Sequence, residues 1–188
     1  MELAPFSSVD PHALRWLRIR ESPDEYRLLA QDTPVAVLTW AKHPGSLATV
    51  ATATDRWTLK RQGFLNPGIG VRPADGSSDI ARLSAHWNYH RIDVAGGASY
   101  RFHRAGMLVP AWAVETSSGA ELVHSEPVRT GHHLEGGAVL VSADGSRLPD
   151  ALLLIVLSWY FIVLAWFEDT AVETLASLEG PDPPIAPG

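Results

Sequence analysis

The sequence predicts a mostly β protein: a closed antiparallel barrel of about twelve strands around a central, buried, hydrophobic C-terminal helix. Three observations predict it. Residues 151–167, ALLLIVLSWYFIVLAWF, form an uncharged run of 17 residues whose least apolar member is Ser158. Before that run, short β-prone segments alternate with turn residues at intervals of about ten. Between residues 26 and 143 no comparably long amphipathic helical period appears.

The segments follow in order. Residues 1–25 read as an irregular lead-in. Within it Leu14-Arg15-Trp16-Leu17-Arg18-Ile19-Arg20 reads as a short edge strand or helical turn with solvated arginines, or as an interfacial segment on anionic lipid. From about Tyr26 the β-signals begin. Arg56-Trp57-Thr58-Leu59-Lys60 alternates polar and apolar, as a half-buried strand must when successive side chains face opposite sides. Tyr100-Arg101-Phe102-His103 does the same. Further strands are expected over 35–41, 47–54, 80–85, 87–94, 108–114, 120–124 and 138–143. In 87–94 the apolar phase slips from Trp87 and Tyr89 to Ile92 and Val94, which predicts a bulge. Turns are expected at Asp75-Gly76, Gly96-Gly97, Ser118-Gly119, Gly136-Gly137 and Asp144-Gly145, where glycine supplies positive φ.

Pro149 and Asp150 suit the start of a helix, and Gly180-Pro181 suits its end. The sequence thus places one barrel domain over 26–179, with strands in 26–145 and the helix in 149–179. A Pro-rich tail over 180–188 reads as disordered. Leu153, Val156, Trp159, Tyr160 and Val163 are the expected core of the helix.

A helix apolar on every side must be hidden on every side, in lipid or in protein. Seventeen helical residues span about 25 Å, against a hydrocarbon core of about 30 Å. Trp159 and Tyr160 fall mid-run, where lipid offers no partner for an indole N–H or a phenol O–H; membrane helices concentrate such residues at the interfaces instead. Protein burial is therefore the favoured reading. The alternative is a single-pass membrane protein in which 151–167 span the bilayer and the β-domain is cytoplasmic. Arg147 before the run and only acids after it set that orientation.

Composition narrows function. The chain has 188 residues and no cysteine, which excludes disulfides, thiolate metal sites and cysteine nucleophiles. The N-terminus lacks the basic and apolar regions of a secretory signal. Net charge is −6. The first 149 residues carry all 15 basic residues and 15 of the 21 acids, so the deficit lies around and after the apolar run. Without a basic surplus, nucleic acid is excluded as a partner.

Arg56, Lys60 and Arg61 form the densest basic group of the β-region. They read as a solvated face or as an anionic headgroup site to which Arg15, Arg18 and Arg20 add. His86 and His90, four apart on an expected strand, stand about 13 Å apart, too far to share a metal. His132-His133 beside Glu135 reads as a solvated loop. Asp75-Gly76-Ser77-Ser78-Asp79 lacks the ligand pattern of a calcium loop and reads as a turn. No metal or cofactor is expected. No nucleophile elbow, zinc-protease or phosphate-loop motif occurs, so an enzyme with an unrecognised site is the third reading.

Several local features resemble the tubby C-terminal-like group, which includes tubby proteins, phospholipid scramblases and LURP-one-related proteins. They are Trp57-Thr58-Leu59-Lys60-Arg61-Gln62-Gly63-Phe64, Tyr100-Arg101-Phe102, Trp112 followed by Gly119-Ala120-Glu121-Leu122-Val123, and the Leu-rich helix with Trp159-Tyr160. The resemblance covers about 26–167 and is to bacterial members; arginine largely in place of lysine reads the same way. It implies a twelve-stranded barrel around a buried helix. Tubby proteins bind phosphoinositides and scramblases act at membranes, though the scramblase cysteine-rich segment has no counterpart here. The expectation is a cytoplasmic, non-catalytic binding or scaffold module, peripheral to the membrane, whose partner is an anionic phospholipid or an unknown protein.

Overall fold

A computed structural model of the chain describes residues 1–41, 46–62, 68–106, 110–131 and 133–178. Twelve strands precede one helix: β1 (Leu14–Ile19), β2 (Ser22–Ala30), β3 (Thr33–Trp40), β4 (Leu47–Thr52), β5 (Arg56–Gln62), β6 (Gly68–Pro73), β7 (Ala81–Ala85), β8 (His90–Val94), β9 (Ser99–Ala105), β10 (Ala111–Glu115), β11 (Glu121–Thr130), β12 (His133–Val141) and α1 (Ala151–Leu178). Each strand pairs antiparallel with the next, and β1 pairs with β12 to close the barrel. Closure leaves no sheet edge exposed. Because the strands alternate in direction, the odd-numbered strands all end at one mouth and the even-numbered ones at the other.

Helix α1 enters from the second mouth and lies along the axis. Leu154, Ile155, Val156, Leu157, Trp159, Tyr160 and Val163 are all buried, as is Leu153. The barrel wall presents the inward residue of each strand pair to them, such as Leu28, Leu38, Leu59, Leu83 and Phe102. Ser158, the one polar member of the run, donates its hydroxyl to the Ile155 carbonyl within the helix.

Aromatic rings lock the helix to the wall. Trp159 stacks on Trp16 of β1, centroids 5.6 Å apart and 8° from parallel. Tyr160 stacks on Trp40 of β3 at 5.6 Å. Tyr26 stands edge-on between Trp159 and Trp40. The Tyr26 hydroxyl donates to the Leu134 carbonyl, and the Tyr160 hydroxyl donates to the Ser46 carbonyl. The expectation that protein would satisfy both mid-helix polar groups holds for the phenol and not for the indole. Trp159 Nε1, with Trp16 Nε1 and Trp40 Nε1, is buried without a hydrogen-bond partner. Each such orphan costs about 1–3 kcal/mol, which the buried ring area and stacking offset.

Several local expectations are corrected. The lead-in over 1–25 is not irregular throughout: it contains β1 and the start of β2. Leu14 and Trp16 are buried while Arg15 and Leu17 face out, and β1 is interior to a closed sheet rather than at an edge. The strand over 87–94 begins only at His90; residues 86–89 form a hairpin turn, and the β7–β8 register runs without a bulge. The aromatic phase slip therefore marks the turn-to-strand boundary. Gly136-Gly137 is not a turn but lies inside β12. His133 opens that strand instead of sitting in a loop. His132, Leu108, Gly63-Phe64, Gly180-Pro181 and the 180–188 tail lie outside the described residues.

The two glycines have a packing role. A Cβ on Gly136 (φ +150°) would lie 2.1 Å from the Trp16 carbonyl oxygen. One on Gly137 would lie 2.5 Å from the Glu126 carbonyl oxygen and 3.0 Å from the Trp159 ring. Only glycine lets β12 pass between β1 and β11 while Trp159 packs behind it.

Two outcomes follow. The Gly136→Ala variant loses about 3 kcal/mol or more of stability in chemical denaturation, since the clash is with backbone that cannot move aside. Ending the chain after Leu148 removes seven buried Leu, Ile and Val side chains, worth on the order of 10–20 kcal/mol against a typical total of about 5–15. That variant shows no cooperative unfolding transition and no near-ultraviolet circular dichroism.

Candidate functional site

The mouth where α1 leaves the barrel gathers the side chains best suited to binding. It is ringed by the ends of the odd-numbered strands. The helix passes through it with Phe161, Leu164, Ala165, Trp166 and Phe167 half-buried, a graded exit from core to surface. Two cavities flank the helix there.

The larger, about 510 Å³, lies between α1 and β9–β12. Arg104 near the end of β9 and Arg129 near the end of β11 both line it, and among the described residues the lining includes no acidic side chain. Trp112, Leu134, Ile162 and Trp166 supply its apolar wall. The Arg129 guanidinium sits over the Trp166 ring, 5.6 Å from its centroid, which holds the charge in place without neutralising it. β10 positions Trp112 against Phe102 and Phe161, with centroids 5.1 and 5.3 Å away. The arrangement can pair with a negative group while covering an apolar one.

The smaller cavity, about 190 Å³, lies on the other side of the helix against β5–β8. Arg61 and Glu168 line it and form an ion pair, which ties the helix to the rim. His90 packs on Phe161 at 4.3 Å, and its Nδ1 is buried without a partner. Burial lowers the His90 pKa, and the neighbouring His86 adds to the effect. Burial also pushes the Tyr160 phenol up to about 12, so it remains a donor to Ser46.

The six basic residues singled out from sequence do not converge. Arg56 and Lys60 share the outer face of β5 and are exposed. Arg61 is flipped to the inner phase because β5 continues to Gln62. Arg15 is exposed on β1 and paired with Asp32 at 2.8 Å. Arg18 points the other way and donates to the Pro23 carbonyl at 3.1 Å. Arg20 is exposed in the β1–β2 turn. Four strand intervals separate β1 from β5, about 19 Å along the sheet. Arg18, Arg20 and Arg61 do share the helix-exit mouth; Arg15 and Arg56 stand nearer the opposite one.

Sequence reasoning missed Arg104 and Arg129. They are 25 positions apart and meet only because β9 and β11 flank β10. It also passed over Trp87, which it placed in a strand. In the β7–β8 turn at this same mouth its side chain is fully in solvent, at 101% exposure. His86 and Tyr89 stack on each other beneath it at 5.0 Å.

Two histidine–carboxylate contacts lie on the sheet. His103 Nε2 is 3.0 Å from Glu115, and His124 lies between Glu121 and Glu126. Burial lowers the His103 pKa, but its hydrogen bonds to Glu115 and the Arg104 carbonyl, with the charges of Glu115 and Glu121, outweigh that and raise it. Among the described residues, no three His, Asp or Glu side chains are placed to hold a metal.

The class defined by these observations is a closed twelve-stranded barrel threaded by its own C-terminal helix, with an arginine-lined cavity where the helix leaves. Compared with known protein families, curated proteins and solved structures, the chain matches none.

The His90 environment fixes a pH response. Its folded pKa is depressed below the ordinary 6.5, so below about pH 6.5 the unfolded chain takes up a proton that the folded chain resists. The stability this neutral ring contributes is full above that pH and is lost as pH falls toward the folded pKa. Over pH 7.5 to 5.5 the protein therefore loses more melting temperature, or gains less, than His90→Phe; an equal change in both proteins would contradict the assignment.

Proposed function

We propose that the chain is a non-catalytic binding module of tubby-like type that engages an anionic phospholipid at the cytoplasmic face of a membrane. The observation that carries this reading is the cavity lined by Arg104 and Arg129, with no acidic side chain in its lining among the described residues, beside the apolar wall of Trp112 and Trp166. An acidic phospholipid offers a charged head and an apolar body in the same order. The guanidinium fork pairs phosphate oxygens two at a time, which a solvated surface charge does not. Trp87 adds to the argument: an indole wholly in water gains by settling at a lipid interface, and its turn is at the right mouth. Arg18 and Arg20 on the rim supply longer-range attraction.

One observation favours a second reading, the single-pass protein. Ala151–Glu168 has a mean hydropathy of 2.1, enough to cross a bilayer by length and composition. Against it, 61% of that window is buried inside the barrel. Crossing would require the helix to leave the barrel and empty it.

Sedimentation with vesicles tests the proposal. The full chain co-sediments with vesicles containing phosphatidylserine and not with pure phosphatidylcholine, and added salt weakens the association. Replacing both Arg104 and Arg129 by Ala costs about 2 kcal/mol, near a thirtyfold loss of affinity. Arg56→Ala, on the outer wall, has a smaller effect. Equal recovery with both vesicle types at low salt, or an unaffected double variant, would contradict the proposal.

A further inference from the structure

The opposite mouth holds a cavity of a different character. It is the largest in the molecule among those described, about 1030 Å³, at the upper end of the range of small-molecule sites. Its walls come from four separate parts of the chain. Phe6, in a single 3-10 turn at Phe6–Ser8, covers one side and packs on the core. That segment is fastened by the Ala4 amide, which donates to the Pro34 carbonyl at 2.9 Å. Trp57 comes from the first turn-proximal position of β5, Tyr100 from β9, and Asp150 from the residue just before α1. Trp57 and Tyr100 are held rigidly, with 9% and 8% exposure.

The charge of this cavity is the reverse of the other. Asp55 and Asp150 line it, and neither forms an ion pair among the described residues. Asp55 accepts from the Thr54 hydroxyl at 2.5 Å. Burial, with the Asp150 carboxylate nearby, pushes the Tyr100 phenol up to about 12. Arg147 is the one basic residue in the lining, and its guanidinium is bound to Asp144 at 3.2 Å. The positive end of α1 points at this mouth and offsets about half of one charge. Two carboxylates against half a charge leave the cavity negative.

We infer that this cavity is a binding site for an organic cation with an apolar body, such as an amine or quaternary ammonium compound. The carboxylates of Asp55 and Asp150 meet the charge. Phe6, Val9, Leu148 and Leu152, with the exposed parts of Trp57 and Tyr100, line the same cavity and take the apolar part. A bare metal ion is a poorer occupant, because among the described residues no three His, Asp or Glu side chains come together to hold one. An anion is excluded by the sign of the lining. The site is separate from the arginine-lined cavity and does not depend on the lipid reading.

The test uses three probes of one shape: 4-phenylbutylammonium, 4-phenylbutanol and 4-phenylbutyrate, titrated into the full chain by calorimetry and by saturation-transfer NMR. The ammonium probe binds about tenfold or more tighter than the alcohol, and the carboxylate does not bind. Asp55→Asn and Asp150→Asn each weaken the ammonium probe severalfold, and Asp75→Asn, in an exposed turn outside the lining, does not. Asparagine is also a favoured residue at a helix start, so the second change preserves the entry to α1. Asp55 and Asp150 sit on different elements, so each variant is an independent measurement should the other fail to fold. Equal affinity for all three probes, no binding of the ammonium, or unchanged affinity in the folded Asp→Asn variants would overturn the inference.

Discussion

The structure depends on one constraint: a helix that is apolar on every face must be enclosed on every face. A single sheet can meet that demand only by closing. Twelve strands enclose a space too wide for their own inward side chains to fill, and α1 is the filler. Sheet and helix are therefore mutually dependent. Neither buries its apolar surface without the other, and the closing pair, β1 with β12, sits directly over Trp159. The stacked Trp16–Trp159 pair and the Trp40–Tyr160 pair convert general apolar burial into a fixed rotation and depth of the helix.

That fixed depth produces the two mouths. At the entry, the helix starts just inside the rim behind Asp150, leaving a broad cavity roofed by the N-terminal segment. At the exit, the helix overshoots the wall, so its side chains become part of the lining. The helix and the residue before it thus bring Asp150 to one mouth and Trp166 and Glu168 to the other. The opposed charge of the two cavities follows from which residues line them: Asp55 and Asp150 in one, Arg104 and Arg129 in the other.

The architecture was legible in the sequence because its cause is local. Residues 151–167 need a container, and alternations such as Trp57 and Leu59 between Arg56, Thr58 and Lys60 specify half-buried strands. β6 was not legible: Gly68, Ile69, Gly70 and Val71 are all buried, so no alternation shows, and two glycines dilute the β signal. β1 was obscured by its arginines, which sit on the solvent face of a strand whose other face is core. Gly136 and Gly137 read as a turn because glycine usually means positive φ. Here it means close approach to Trp16 and Trp159, residues distant in sequence. Trp87 and Tyr89 look β-prone and lie in a turn. The sites were less legible than the fold for the same reason. Arg104 and Arg129 acquire meaning only when β9, β11 and α1 come together, and the basic cluster at Arg56, Lys60 and Arg61 is split by the pleat into outer and inner faces.

Residue-resolved hydrogen exchange of the full chain in detergent-free buffer tests the enclosure of the helix most directly. If α1 is the barrel's core, the amides of residues 154–163 and those of β1 and β12 exchange only through one shared opening, with the same free energy and the same denaturant dependence. Helix amides that open at lower free energy while the strands stay protected would contradict the account, because they would show a sheet that stands without its filler.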